Sequence, residues 1–138
     1  MIVVDEYIAV RVLRGRWPTG LPDDEDLALP ASAHWRLLQA VHGDRGGQLS
    51  QLFAGASPAV INAIRWPHPE VLQVLDPRPL LDRAAMLANR YGGGLLIGET
   101  LAAGLVNGRQ LFFGTARNIG PRLRAGADDL GVAIHLTT

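Results

Sequence analysis

Short apolar runs alternate along this chain with longer stretches whose apolar residues repeat at helical spacing. Such alternation is typical of an α/β protein, because helices between strands pack back on the sheet and leave neighbouring strands parallel. The runs predict strands at 2–4, 71–75, 110–113 and 132–136, helices at 7–13, 33–42, 59–66, 80–90 and 99–107, a short helical piece at 49–53 and a last helix after 118. We therefore expect an α/β sandwich with a largely parallel sheet. No repeat or low-complexity linker divides the chain, so we expect one domain over residues 1–138.

Several residues mark where these elements begin or end. Ser32 and Ser57 are predicted N-caps, since a serine hydroxyl accepts a hydrogen bond from a free N–H of the first helical turn. Asn118 is the predicted cap of the last helix, and the glycine-rich segment 43–47 is a predicted loop. In the helix over 80–90, the residues predicted to face inward are Leu81, Ala84, Ala85, Leu87 and Ala88.

The basic residues restrict the chemistry. All 13 are arginine, and the chain has neither lysine nor cysteine, which excludes a lysine-dependent phosphate loop, a Schiff base, disulfides and thiolate zinc sites. The net charge is zero, which disfavours a general electrostatic nucleic-acid binder but allows a local arginine patch. No apolar run approaches the roughly 20 residues that span a bilayer, and no signal peptide is recognised. We therefore expect a cytoplasmic protein without a membrane partner.

Two carboxylates, those of Asp5 and Glu99, stand beside apolar runs. Asp5 follows the predicted strand 2–4, and Glu99 follows the apolar residues 95–98. An acid in such a place is costly unless it is ionised at a solvent-facing end, hydrogen-bonded or bound to a metal, and the strand ends of open α/β sheets are where ligands bind. If the two acids converge, they predict a divalent-cation site. The alternative is a strand-end acid and a helix N-terminal acid stabilised by the helix dipole.

Other common sites lack their sequence patterns. A dinucleotide site needs Gly-x-Gly-x-x-Gly directly after a strand, whereas the first strand here is followed by Asp5-Glu6-Tyr7 and the glycine triplet 92–94 follows a predicted helix. The four histidines show no paired metal-binding spacing, and the serines lack a nucleophile-elbow context. These observations disfavour dinucleotide, histidine–metal and serine-nucleophile chemistry.

Short motifs follow one another in a characteristic order. The chain opens with Ile2-Val3-Val4-Asp5 and a helix, and between 74 and 136 it carries Leu75-Asp76-Pro77, Ala84-Ala85-Met86-Leu87-Ala88, Leu96-Ile97-Gly98-Glu99, Leu111-Phe112-Phe113 and Gly131-Val132-Ala133-Ile134. This order resembles that of a PIN domain, of the kind found in the toxins of VapBC toxin–antitoxin systems. The resemblance is clear over about 65 residues at the C-terminal end, moderate over the first 15, and only an outline over 16–70.

The resemblance implies a PIN-like three-layer sandwich, with a central and mostly parallel sheet flanked by helices. In that family, four acids typically hold one or two Mg²⁺ or Mn²⁺ ions that activate water for RNA cleavage. The resemblance also implies a homodimer that is restrained by an antitoxin-like protein. Carried over to this chain, the implied roles are catalysis and metal binding by Asp5 and Glu99, support of the metal site by Glu6, Thr115 and Asn118, and RNA contacts by Arg11, Arg14 and Arg117. The alternative, which the balanced charge of the chain favours, is that the arginines are solvated surface residues.

The chain departs from the family pattern at several acids. Ala116 and Asn118 stand where the family usually has aspartates, the acid expected on the second helix is missing, and Glu99 replaces the usual aspartate. Glu6 is expected to assist only if the first helical turn is rearranged. Mg²⁺ often uses one or two carboxylates plus water, but an arginine such as Arg36 or Arg117 near the cleft would favour an anion instead. A two-metal site is therefore disfavoured.

The sequence leaves three functions open. The first is an Mg²⁺-dependent ribonuclease of the VapC toxin type with weakened or lost activity. The second is a non-catalytic PIN-like binding or regulatory module, and the third is an unrelated small α/β ligand-binding domain. Trp17, Trp35 and Trp66 are expected to be packing residues rather than platforms on which bases stack.

Overall fold

The computed structural model describes residues 1–43 and 47–137. Its strands are β1 (Ile2–Val4), β2 (Leu27–Leu29), β3 (Gln73–Val74), β4 (Gln110–Phe113) and β5 (Ala133–Leu136). Its α-helices are α1 (Glu6–Leu13), α2 (Ala31–His42), α3 (Gln48–Gln51), α4 (Pro58–Arg65), α5 (Leu81–Tyr91), α6 (Leu95–Val106) and α7 (Pro121–Leu130), and Arg78–Leu80 and Ala116–Asn118 form 3₁₀ turns. Within these described residues, no helix is both long enough and apolar enough to cross a membrane. Residues 44–46 of the predicted loop at 43–47 lie outside the described residues.

The sheet has five strands in the order β3-β2-β1-β4-β5, and every pairing is parallel. Strand β1 is central, and its Val3 pairs with Ala28 of β2 on one side and with Leu111 of β4 on the other. Central parallel strands are covered on both faces, which is why β1 and β2 are continuous apolar runs rather than alternating ones. The predicted α/β class is confirmed, and the sheet is wholly parallel.

Helices cover both faces of this sheet. Because side chains alternate along a strand, Ile2 and Val4 face one helical layer and Val3 faces the other. The first layer packs buried residues of α1, α2 and α4 against the sheet, and the second packs those of α5, α6 and α7. The expected three-layer sandwich is therefore confirmed.

Several elements differ from their predictions. Strand β2 is not among the predicted strands, although it is as short and as apolar as β1. Strand β3 is shorter than the predicted 71–75, since pairing with β2 is confined to Gln73 and Val74. Helix α6 begins at Leu95, so the apolar run before Glu99 is the first turn of that helix and Glu99 lies in the second.

Two predicted caps are wrong. Helix α2 begins at Ala31 with Pro30 at the N-cap, which places Ser32 inside the first turn. The N-cap of α7 is Gly120, whereas Asn118 ends the preceding 3₁₀ turn. Ser57 does act as predicted, since its hydroxyl accepts a hydrogen bond of 3.3 Å from the N–H of Val60.

Several residues predicted to be internal are exposed. On α5 the buried residues are Ala84 and Leu87, whereas Leu81 and Ala85 face outward, because the helix packs along a stripe narrower than its apolar content suggests. The tryptophan side chains are also exposed, against the expectation that they pack inside: Trp17 by 46%, Trp35 by 59% and Trp66 by 73%.

Helices α5 and α6 approach each other closely at Gly98. A β-carbon on this residue would lie 2.2 Å from the carbonyl oxygen of Ala84 and 3.0 Å from the β-carbon of Ala88. Only a glycine allows the two backbones to pack at this distance. The contact also sets the position of the next residue, Glu99, over the start of α2.

We expect Gly98→Ala to lower the free energy of unfolding by about 1–3 kcal/mol, because one helix must move away from the other to admit the methyl group. Gly94→Ala is the matched control, since nothing lies within 4 Å of a β-carbon there. That control should cost less than about 1 kcal/mol, as alanine is only a poorer N-cap than glycine. Urea unfolding of both variants measures the difference, and equal costs would contradict the close approach.

Candidate functional site

The candidate site lies at the carboxyl ends of β1 and β4. From β1 the chain proceeds to β2 on one side, whereas β4 and β5 lie on the other, so the order of strands reverses between β1 and β4. Ligands of open α/β sheets bind at such a switch point, where the loops after neighbouring strands diverge. A small cavity of about 50 Å³ opens here, with Asp5, Glu6, Arg36 and Asn118 as its charged and amide lining. It has room for a few water molecules.

Asp5 is the centre of the site. Its Oδ1 accepts a hydrogen bond of 2.9 Å from the N–H of Ile8, which caps α1, and its Oδ2 accepts bonds of 3.0 Å from the N–H of Gly114 and from Nδ2 of Asn118. The residue is only 5% exposed. Burial is the largest influence and raises its pKa from 3.8 to about 6; the hydrogen bonds from Ile8, Gly114 and Asn118 lower the pKa, and the charge of Glu6 raises it. Asp5 therefore changes charge close to neutral pH.

Glu6 lies beside Asp5 in the same cavity. Its Oε1 pairs with Nη1 of Arg36, and its Oε2 accepts a hydrogen bond of 3.1 Å from Nδ2 of Asn118. Burial raises the pKa of Glu6, and the guanidinium of Arg36 opposes that shift only in part. The expectation that Glu6 needs a rearranged first turn is wrong, because the regular first turn of α1 already directs it towards Asn118.

Glu99 has a different set of partners. Its Oε1 accepts a hydrogen bond of 2.9 Å from the N–H of Ser32 and one of 3.2 Å from the hydroxyl of Ser32. Helix α2 has Pro30 at its N-cap, which offers no side-chain acceptor, so Glu99 supplies the missing acceptor from another helix. The positive end of the α2 dipole also stabilises the carboxylate. Glu99 thus acts at the start of α2 rather than at the start of its own helix.

The remaining predicted residues do not line the cavity beside Asp5, and two of them line a second, shallow groove. Thr115 accepts a hydrogen bond from the N–H of Arg117 within the 3₁₀ turn, and both residues line this groove together with Leu52. Arg14 donates a bond of 2.8 Å from Nη1 to the carbonyl oxygen of Leu52, and Arg11 is half-buried in the last turn of α1. The structure therefore brings Glu6 and Asn118 to Asp5 but places Thr115 and the three predicted RNA-binding arginines elsewhere.

The residues around Asp5 do not fit a divalent cation in their present arrangement. The amide group of Asn118 donates to both carboxylates, and Arg36 pairs with one of them, so hydrogen-bond donors already occupy the positions that a cation would take. Among residues 1–43 and 47–137, no group of three or more His, Cys, Asp or Glu side chains is arranged to hold a metal ion. A metal ion would have to displace both donors.

The sequence reasoning missed one feature of this site and gave Asn118 two roles. The helix cap predicted at Asn118 is wrong, and its support of a metal site stays a prediction; its side chain bridges Asp5 and Glu6. The N–H of Gly114 was not expected to take part, although it follows β4 directly and β4 pairs with β1. The sequence did contain a signal for the contact between Gly114 and Asp5. In parallel neighbouring strands, the residues directly after each strand meet at the same edge of the sheet.

Comparisons with protein-family models, with curated protein sequences and with solved structures find no match to this chain. The family resemblance therefore rests on the order of motifs in the sequence, and what it implies about activity stays a prediction.

We expect the ionisation of Asp5 to destabilise the fold as the pH rises. Because the folded pKa of about 6 exceeds the ordinary value of 3.8, the folded state holds the proton more tightly, and this stabilisation is present below pH 3.8 and lost as the pH rises through 6. The loss is about 3 kcal/mol. Urea unfolding at pH values between 4 and 7 should show that the free energy of unfolding declines more steeply with pH for the wild type than for Asp5→Asn. An Asp128→Asn control, at an exposed site, should keep the wild-type slope.

We expect Glu99→Ala to lower the free energy of unfolding by about 2–3 kcal/mol, since the variant leaves the N–H of Ser32 without its charged acceptor. Glu99→Gln should cost less, because the amide oxygen still accepts both bonds. Ser32→Ala removes only the hydroxyl bond and should cost about 1 kcal/mol. Chemical unfolding in metal-free buffer measures all three, and an equal cost for the alanine and glutamine variants of Glu99 would contradict the capping role.

Proposed function

We propose that this chain is a PIN-like protein of the VapC toxin type that has lost ribonuclease activity and serves as a non-catalytic binding or regulatory module. The observation that carries the proposal is the position of Asn118. Its amide lies between Asp5 and Glu6 and donates to an oxygen of each, at 3.0 and 3.1 Å. A hydrogen-bond donor thus takes the place between two acids where a metal-dependent nuclease needs a cation.

Charge compensation within the site supports this proposal. Mg²⁺ requires oxygen ligands in near-octahedral geometry and gives up its water reluctantly, so it competes poorly with donors that are already in place. Arg36 adds a positive charge at Glu6, and Ala116, which stands where the family usually has an acid, offers no ligand. Glu99 is engaged by Ser32. Each of these features lowers the affinity of the cleft for a cation.

The architecture supports the PIN-like part of the proposal. The central strand ends in an aspartate, the sheet is parallel, and Asp5 and Glu6 lie together at the switch point between β1 and β4. An aspartate at the end of the first strand is what the motif order implies for the family. At this cleft a small-molecule site is less favoured, because the cavity beside Asp5, of about 50 Å³, is far smaller than a ligand pocket.

A weakly active Mg²⁺- or Mn²⁺-dependent ribonuclease is the second candidate. With its pKa at about 6, Asp5 is mostly ionised at neutral pH. A reversed amide would direct the carbonyl oxygen of Asn118 at the two acids, and that oxygen is a suitable ligand for a hard cation. In this case RNA is the substrate, and an antitoxin-like protein is the partner that restrains it.

The amide in the site makes a specific prediction about metal binding. We expect Asn118→Asp to lower the stability of the metal-free protein, because three acids then crowd one cavity, and to create a site that Mn²⁺ stabilises. At an ion concentration ten times the Kd, binding should raise the free energy of unfolding of this variant by about 1.4 kcal/mol. Thermal unfolding of the wild type should not respond to Mn²⁺ or Mg²⁺ beyond the effect of NaCl at equal ionic strength. Adding Asp5→Asn to Asn118→Asp is the matched control and should abolish the response.

RNA cleavage assays separate the two candidates. The wild type should show no Mg²⁺- or Mn²⁺-dependent cleavage of a mixed RNA pool. Metal-dependent cleavage that disappears in both Asp5→Asn and Glu99→Gln would replace our proposal with the active ribonuclease. If Mn²⁺ does not stabilise Asn118→Asp against thermal unfolding, the acids are not the remainder of a metal site. The PIN-like interpretation then loses its main support.

A further inference from the structure

A groove of about 730 Å³ lies between α2, the end of α4 and β3. Pockets that hold small organic ligands occupy about 300–1,000 Å³, so this groove has the size of a ligand site, unlike the cavity of about 50 Å³ beside Asp5. None of the residues that line the groove also lines that cavity. The groove is therefore a separate site, and what it binds does not depend on the function proposed for the Asp5 cleft.

The titratable side chains that line this groove are all basic. They are Arg65 from the last turn of α4 and His34 and His42 from α2, and none of the described lining residues is acidic; we call it the basic groove. Arg65 is exposed and forms no ion pair with any residue that the structure describes. Its planar guanidinium is therefore available to a carboxylate or phosphate, whose oxygen atoms match its donors.

The two histidines lie on one face of α2. His34, Leu38 and His42 are spaced four residues apart, and all three line the groove. Nε2 of His34 lies 2.8 Å from the carbonyl oxygen of Ile64, and because a carbonyl only accepts, Nε2 carries a proton and donates it. This bond holds the ring of His34 against the end of α4. Both imidazoles thus lie in the groove that Arg65 lines, and each adds a positive charge when it is protonated.

Trp66 contributes a large exposed ring to the groove. It is the C-cap of α4 and is 73% exposed. Its N–H donates a bond of 3.0 Å to the carbonyl oxygen of Asn62, and Pro67 follows it, so the backbone at the ring is held in place. Leu72, which is 1% exposed, supplies part of the apolar lining. An exposed indole beside apolar lining is a surface on which a planar ring stacks.

We propose that the basic groove binds a small planar anion, that is, a molecule in which a phosphate or a carboxylate is attached to an aromatic ring. Arg65 pairs with the anionic group, the imidazoles of His34 and His42 add positive charge, and Trp66 stacks on the ring. A nucleoside monophosphate and an aromatic carboxylic acid both have this chemistry. The groove recognises the ring and the charge together, because its basic residues and its exposed indole line the same space.

A polynucleotide fits this surface less well than a small anion does. A second groove adjoins the basic groove at Pro69, which lines both, and its acidic residues are Asp23, Asp24, Glu25, Asp26 and Glu70. A polynucleotide that continued past Pro69 would bring its phosphates against these acids, whereas a small anion ends within the basic groove. The charge pattern therefore favours a small ligand.

Calorimetric titration of the full chain tests this site. The probes are the monophosphates of adenosine, guanosine, cytidine and uridine, with indoleacetate as the aromatic carboxylate. Arg65→Ala and Trp66→Ala should each raise the Kd of the probe that binds by about 10-fold or more, since one removes the charged donor and the other the stacking surface. The parent nucleoside and ribose phosphate, or indole and acetate, should bind at least about 10-fold more weakly, because each lacks the charge or the ring.

Two exposed residues outside the basic groove serve as matched controls. Arg83→Ala on α5 and Trp35→Ala on α2 remove the same side chains and should leave the Kd unchanged. Thermal unfolding shows whether each variant retains its fold. Binding of a nucleotide alone identifies the anionic group as a phosphate, and binding of indoleacetate alone identifies it as a carboxylate.

Four results would overturn the proposal. The first is that no probe binds at millimolar concentration, and the second is that binding survives both Arg65→Ala and Trp66→Ala. The third is that ribose phosphate binds as tightly as the nucleotide, which would make the groove a site for phosphate without a ring. The fourth is that single-stranded RNA binds while none of the small probes does, which would identify the groove as a nucleic-acid site instead.

Discussion

The burial of the Asp5 carboxylate is the constraint on which the centre of this structure depends. A carboxylate taken out of water must be compensated, and three donors from different parts of the chain do this: the first turn of α1, the residue after β4 and the side chain of Asn118. These bonds tie the two halves of the sheet together at the switch point between β1 and β4. Burial of Asp5 costs free energy unless these three donors are in place. This requirement therefore fixes the geometry around the carboxylate.

The acids of the cleft act on the fold as well as on any ligand. Glu99 caps α2 from another helix, and Glu6 pairs with Arg36 of α2, so carboxylates hold this helix at its N-terminus and on its inner side. In a metal-dependent enzyme a cation provides such cross-links. Here arginine, amide and backbone donors provide them, which explains how the cleft around Asp5 keeps its shape.

Local signals predicted most of the elements. The helices of eight or more residues were predicted, most of them from their period and the last from the residues expected to begin it. Ser57 was recognised as a cap because its partner lies three residues away. Strand β2 and the capping of α2 by Glu99 were missed. Strand β2 is as short and as apolar as β1, which was predicted, so its local sequence does not explain why it was missed. The acceptor for α2 lies 67 residues from Ser32. The helix cap predicted at Asn118 is wrong for the same reason, since the partners of its side chain are more than 100 residues away.

The sequence by itself determined the alternation of helices and strands, the parallel sheet that follows from it, and the presence of Asp5 at the end of a buried strand. Only the tertiary structure decided what the acids do. A carboxylate becomes a metal ligand, a cap or half of an ion pair according to which donors reach it, and those donors come from elements distant in the chain. The tertiary structure also left β3 at an edge of the sheet, because the strand order decides which strands have only one neighbour.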